Sequence, residues 1–263
     1  MVAPNGNMGV KFTAVVLLLL AFSLAMRAAE NSTPATPILV ELFTSEGCSD
    51  CPPADAFLEK LDQQPFSRAQ MIVLSEHVDY WNHDGWKDPF SSPFFSERQQ
   101  EYAREFALQT VYTPQMVVDG SSEFVGGNQG AASKAFTKAA AAPKIDLRLS
   151  AMQIEAANTL LAHLEVAALP KGEKGDVYIA IALNHAESQV SAGENSGHKL
   201  SHTAVVRSLT KVGSLQKEQS FAEDLRLPLP SGVPTDNLRL IAFVQKPHQG
   251  AVLGATMQRL SSK

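Results

Sequence analysis

Residues 37–61 read PILVELFTSEGCSDCPPADAFLEKL. The run 38–43 is apolar apart from Glu41, as in a strand covered on both faces. A short turn leads to Cys48 and Cys51, and a helix pattern follows. Pro52 and Pro53 suit a first helical turn, where a missing N–H is harmless. Asp55 and Glu59 favour that helix, and Ala54, Phe57, Leu58 and Leu61 give it an apolar stripe. Cys48 and Cys51 are the only cysteines in the 263 residues. Two cysteines three apart cannot staple a fold, but they can form a local disulfide that is easily made and broken.

Downstream, 71–78 (MIVLSEHV) is a second apolar strand. The helix between makes a β-α-β unit, so the two strands are expected to be parallel. An aromatic loop follows at 79–93 (DYWNHDGWKDPFSSP), and Ser92-Pro93 opens a helix expected over 94–107. Thr113-Pro114 precedes a short strand at 115–118, Asp119-Gly120 signals a hairpin, and 123–126 can pair back. An Ala-rich helix over 128–142 is stopped by Pro143.

After Pro143 the pattern changes. Apolar or alternating runs recur at 145–154, 160–168, 177–184, 203–209, 221–227, 238–244 and 251–260, separated by Gly, Pro, Asn and Ser. Seven such strands suggest an all-β, sandwich-like domain over 144–263, following an α/β domain over 37–142.

Residues 1–29 stand apart. Lys11 precedes an almost wholly apolar run at 12–25 and small residues to Ala29, the layout of a signal peptide. The run is short for a membrane span of about 20 residues, so no span is expected in the mature chain. Residues 30–36 read as a polar linker. Export, to a periplasm or to the exterior, places the Cys pair in an oxidising compartment. The formal charge of −5 and the lack of a basic run argue against nucleic-acid binding.

A cysteine at a helix N-terminus faces the positive end of the helix dipole and free N–H groups, which stabilise a thiolate. Cys48 is the candidate nucleophile, expected to be exposed, and Cys51 the resolving thiol in a Cys48–Cys51 disulfide. Glu46 and Asp50 place negative charge nearby and oppose that effect. Because parallel strands end on one edge, His77, Asp79, Tyr80 and Trp81 are expected to emerge near the pair and line a substrate groove. Their competing role is to cover the core and cap turns. Competing readings of the pair itself are a static disulfide on a binding protein, and a soft ion held by Cys48, Cys51 and His77. The remaining histidines, at 83, 163, 185, 198, 202 and 248, follow no ligand spacing and read as surface or loop residues.

The element order, ILVELFTSEGCSDCPP and VYTPQMVVDG together resemble the thioredoxin fold. That resemblance implies a thioredoxin-like fold over 37–142, a cis Pro114 and Thr113 beside the Cys pair. It also sets Glu41 near the family's buried acid, with one residue more before the first cysteine. More narrowly, VELFTSEGCSDCPPAD with HVDYW and GWKDPFSSPFFSERQ looks like a family of secreted thioredoxin-like proteins without a settled activity. The expected function is thus an exported thiol–disulfide oxidoreductase acting on protein or small-molecule thiols, with a redox partner protein and with no metal or cofactor. The rival is a non-enzymatic envelope binding protein.

Overall fold

The computed structural model describes residues 35–261 apart from 65, 67, 68, 84, 156 and 157. The expected signal peptide lies outside the described residues. Strand β1 (Thr36–Thr44) runs parallel to β2 (Ala69–His77), and helix α1 (Pro52–Gln63) connects them. Helix α2 (Pro93–Glu105) follows, its first turn capped by the Ser92 hydroxyl. β3 (Gln115–Val118) pairs antiparallel with β1 and forms a hairpin with β4 (Ser122–Val125). Helix α3 (Gln129–Ala141) starts at Asn128, whose side chain accepts from Ala131 N.

The apolar stripe of α1 is buried as its spacing predicts. Ala54, Leu58 and Leu61 pack with Ile38, Val40, Leu42, Val73 and Phe136. Each large aliphatic side chain so buried contributes about 1.5–3 kcal/mol relative to exposure.

The chain continues as β5 (Leu147–Glu155), β6 (Thr159–Val166), β7 (Gly175–Gln189), β8 (Lys199–Leu215), β9 (Phe221–Pro228), β10 (Leu238–Gln245) and β11 (Val252–Arg259). All seven runs expected after Pro143 are strands, but they do not assemble as expected. Only β5, β6 and β9 form a sheet of their own. The other four extend the first sheet, giving eight strands in the order β11-β10-β7-β8-β2-β1-β3-β4. The join is a parallel contact between β2 and β8 at Ser75 and Val205.

This overturns the expected thioredoxin-like α/β fold followed by an all-β sandwich. The architecture is mostly β, a large mixed sheet with three helices among the described residues. The physical reason is the outer side of β2. An edge there would expose a row of unpaired N–H and C=O groups, and β8 covers it.

The long sheet brings its two ends into contact, since Val252 N donates to Asp119 O at 2.8 Å. Leu39, Ile72 and Leu74 of β1 and β2 meet Ala180, Ile241, Phe243 and Ala255, with Phe95 of α2 packed against them. The smaller sheet covers β7 and β10 through Leu160, Leu164, Ile179, Ile181 and Leu240. Asp62, at the end of α1, receives a bidentate pair from buried Arg239 at 2.6 and 2.9 Å, and a third bond from Arg259. None of the helices among the described residues is long and apolar enough to cross a membrane.

The β3–β4 turn shows how tightly the sheet ends meet. The connection is three residues, Asp119 to Ser121, closed by a bond from Ser121 N to Val118 O, and Asp119 and Gly120 both have positive φ, 49° and 59°. Asp119 Oδ1 accepts from Leu39 N, and Oδ2 binds Lys144 at 2.7 Å. A Cβ on Gly120 would lie 2.3 Å from Gly250 O. Gly120→Ala combines backbone strain with this overlap and is expected to cost about 2–4 kcal/mol. A urea midpoint within error of the wild type would contradict the packing described here.

Candidate functional site

Cys48 and Cys51 are joined as a disulfide. Cys51 is the N-cap of α1 and makes no side-chain cap; Pro52 and Pro53 follow it. Its carbonyl accepts from Ala54 N and Asp55 N, which starts the helix on the second cysteine. The pair therefore sits at the positive end of α1, where a thiolate is stabilised.

Both cysteines are nonetheless buried, Cys48 at 1% exposure and Cys51 at 0%, while Ser49 and Asp50 between them are exposed. The expectation of an exposed Cys48 fails because the connection between β7 and β8, residues 190–198, lies over the turn. Asn195 donates from Nδ2 to both Glu46 O and Cys48 O, each at 2.9 Å. Glu194 accepts from Ser49 N at 2.9 Å.

The aromatic loop divides its residues between two places. Trp81 comes to the Cys turn: a Cβ on Gly47 would lie 2.9 Å from Trp81 Cβ, and the indole donates to Thr113 Oγ1 at 2.8 Å. The Thr113–Pro114 peptide is cis, and Pro114 packs towards Ala54 of α1 through Gly126. Asp79 and Tyr80 are drawn instead to α2, where they bond Ser96 and Gln99. Burial raises the Tyr80 phenol above its ordinary range, against its hydrogen-bond contacts with Thr113 and Gln99.

His77 turns inward. It is fully buried, its Nδ1 lies 2.7 Å from Asp88 Oδ2, and its ring centroid is 4.7 Å from that of His202. Burial pushes the Asp88 carboxyl up, but the charge and hydrogen bond of His77, with the N–H groups of Glu46 and Phe90, hold it below its usual range. His202 is not the surface residue expected from sequence. It is 2% exposed, with Nε2 at 3.2 Å from Glu46 Oε1 and Nδ1 at 3.8 Å from Asp55 Oδ1. Burial disfavours its charged form, yet the neighbouring carboxylates of Asp55 and Glu46 outweigh that and push it up to about 10.

Glu46 is the centre of this buried group. Its carboxylate bonds Ser188, His202 and, at 2.8 Å, the Trp86 indole, and its N–H donates to Asp88. Of the two acids expected to oppose the Cys thiolate, Glu46 is thus paired with the buried His202, whereas Asp50 is exposed. Asp88, His202, Trp86 and Asn195 were not legible as site residues. Asp55 was read only as a helix-favouring acid, although it stands one helical turn beyond Cys51 on α1. Three polar atoms here, Asp55 Oδ1, His77 Nε2 and His202 Nδ1, are buried without a hydrogen-bond partner, which is costly in a purely structural core.

The family model described as "Protein of unknown function (DUF1223)" matches residues 39–245. This chain belongs to that family. The DUF1223 match runs from β1 through β10, so it takes in the Cys turn, the aromatic loop and the loop that covers them. Among solved structures, protein AGR_C_4864 from Agrobacterium tumefaciens is similar over 88% of this chain and 100% of its own, with 25% identity and a TM-score of 0.66. HBP35 of Porphyromonas gingivalis is similar in fold over 88% of this chain and 77% of its own, with 15% identity and a TM-score of 0.60. No curated protein matches the sequence.

Proposed function

We propose that this protein is an exported thiol–disulfide oxidoreductase whose Cys48–Cys51 pair cycles between disulfide and dithiol. The observation that carries this reading is the disulfide at the N-terminus of α1, backed by buried His202 and flanked by Trp81 and cis Pro114. An incoming thiolate attacks Cys48 Sγ, the S–S bond breaks towards Cys51, and Cys51 takes up a proton. A second thiol then releases the mixed disulfide and leaves both cysteines reduced. The helix start favours Cys48 as the thiolate, since it lies ahead of the first turn. Trp81 and Thr113 form the near wall for a substrate thiol or disulfide. Export, inferred from the N-terminal segment, supplies an environment in which the disulfide can re-form.

A second reading, a static disulfide in an envelope binding protein, is favoured by the burial of both sulfurs. Equilibration in glutathione buffers, with Cys alkylation read by mass, separates the two. A midpoint between about −120 and −270 mV is expected for exchange chemistry. A disulfide still intact well below about −300 mV would overturn it in favour of the static bond.

A further inference from the structure

The geometry points to residues 190–198 as a lid that gates thiol attack on the Cys pair, with Asn195 as its latch. This rests on the exchange reading above and adds to it which residues decide access. Three observations carry it. The first is the latch itself: one side-chain amide bonds two carbonyls, Glu46 O and Cys48 O, that bracket the turn before the pair. The second is its tip: Glu194 is exposed, yet its carboxylate occupies Ser49 N beside the start of α1. That is where the negative charge of a Cys48 thiolate is stabilised, so Glu194 and the thiolate compete for the same positive field.

The third is the loop's construction. Val190 N bonds His198 O, Gly197 N bonds Val190 O and Ser196 N bonds Gly193 O, so the segment closes on itself at the base. Gly193 and Gly197, at φ 74° and 85°, stand on either side of Asn195. The loop's recorded side-chain bonds to the Cys turn come from two residues, Asn195 and Glu194. Losing these three hydrogen bonds releases the loop's side-chain hold on the Cys turn, while β7 and β8 stay paired below it and Ser188 and His202 keep Glu46 in place.

The gated step is attack by an external thiolate on Cys48 Sγ. The S–S electron pair goes to Cys51, which is protonated. The second thiol of a dithiol reductant then attacks the mixed disulfide and leaves as a cyclic disulfide, so two electrons and two protons pass to the pair. While the lid is closed Cys48 is 1% exposed, and this attack has no path.

The test is the reduction rate of the oxidised full chain by dithiothreitol, followed by quench and alkylation across a wide reductant range. Wild type is expected to reach a plateau rate set by lid opening. Asn195→Ala is expected to react at least tenfold faster and lose the plateau, and Glu194→Gln to react several-fold faster. Circular dichroism melts confirm that both variants are folded, and Glu194→Gln alters only an exposed side chain. A wild-type rate linear in dithiothreitol, or rates unchanged in both variants, would overturn the lid. The glutathione midpoint of the same samples judges the exchange reading separately, because it reports an equilibrium position whereas the lid is read from rates.

Discussion

Arg98→Met is expected to destabilise the fold by about 3–5 kcal/mol. Arg98 is 3% exposed and reaches from α2 to Glu41 of β1, Glu76 of β2 and Gln245 of β10. It donates to Glu41 Oε1 from Nε at 2.7 Å and from a terminal nitrogen at 2.5 Å. It also bonds Gln249 at 2.7 Å and Gln245 at 3.1 Å, and lies 3.6 Å from Glu76 Oε2. Glu41 and Glu76 are both fully buried. Burial, and then the charge of Glu41, raises the Glu76 carboxyl well above its ordinary range, so the one cation serves chiefly Glu41. Tyr102 adds a 2.5 Å hydrogen bond to the other Glu41 oxygen. Methionine fills similar space but leaves the buried Glu41 carboxyl without its cation and without the two Arg98 hydrogen bonds, on a central strand where it cannot reach water.

A urea titration at pH 7 measures the loss, and a second variant identifies its cause. Adding Glu41→Gln to Arg98→Met removes the unpaired carboxyl and should recover part of the stability, a coupling of at least about 1 kcal/mol. A loss below about 1 kcal/mol in Arg98→Met, or no recovery in the double variant, would show that this network is not what ties α2 to the sheet.

The same residues show how far the sequence could be read. Glu41 was visible as the one charge in an apolar strand, and 94–107 as a helix, but nothing local joins Glu41 to Arg98. Strands and helices follow from periodicities of a few residues, and these were legible throughout. Which strand pairs with which depends on contacts between distant segments. β8 has an ordinary alternating pattern, and nothing in it announces that Val205 will stand beside Ser75. That one pairing turned an expected separate domain into an extension of the first sheet.

At the site the division is similar. The Cys-x-x-Cys is plain in the sequence, the cis Thr113–Pro114 peptide is what the thioredoxin resemblance implies, and the approach of Trp81 follows from two parallel strands ending on one edge. The cover on Cys48 was not legible, because Asn195 lies 147 positions from it. His202 was misjudged for the same reason. A histidine in an amphipathic strand carries no sign of the carboxylates that a turn and a helix bring to it.

His202 should make the protein lose stability as pH rises, an effect on the order of 4–5 kcal/mol at most. An unfolded histidine titrates near 6.5 and this one near 10, so the fold favours the charged form. Its contribution is therefore complete below about pH 6.5 and is lost progressively as pH rises to about 10. The facing groups are Glu46 on the Cys turn, Asp55 on α1, the His77 ring on β2 with Asp88 behind it, and the apolar ring of Phe90. Deprotonation leaves the Glu46 and Asp55 carboxylates without their cation in a site closed to water.

Urea midpoints of wild type and His202→Gln at pH 6, 8 and 10 test this. The variant should be weaker at pH 6 by several kcal/mol, and the two curves should converge by pH 10. Parallel curves would refute a charged His202. His202 also bears on the chemistry, because its partner Glu46 stands two residues before Cys48. Without the imidazolium, the full charge of Glu46 acts on the Cys turn and opposes the helix field on a thiolate. In reduced His202→Gln the more reactive cysteine should therefore alkylate more slowly at pH 7 than in wild type. Equal rates would show that the cationic pair with Glu46 stabilises the fold without tuning the thiol.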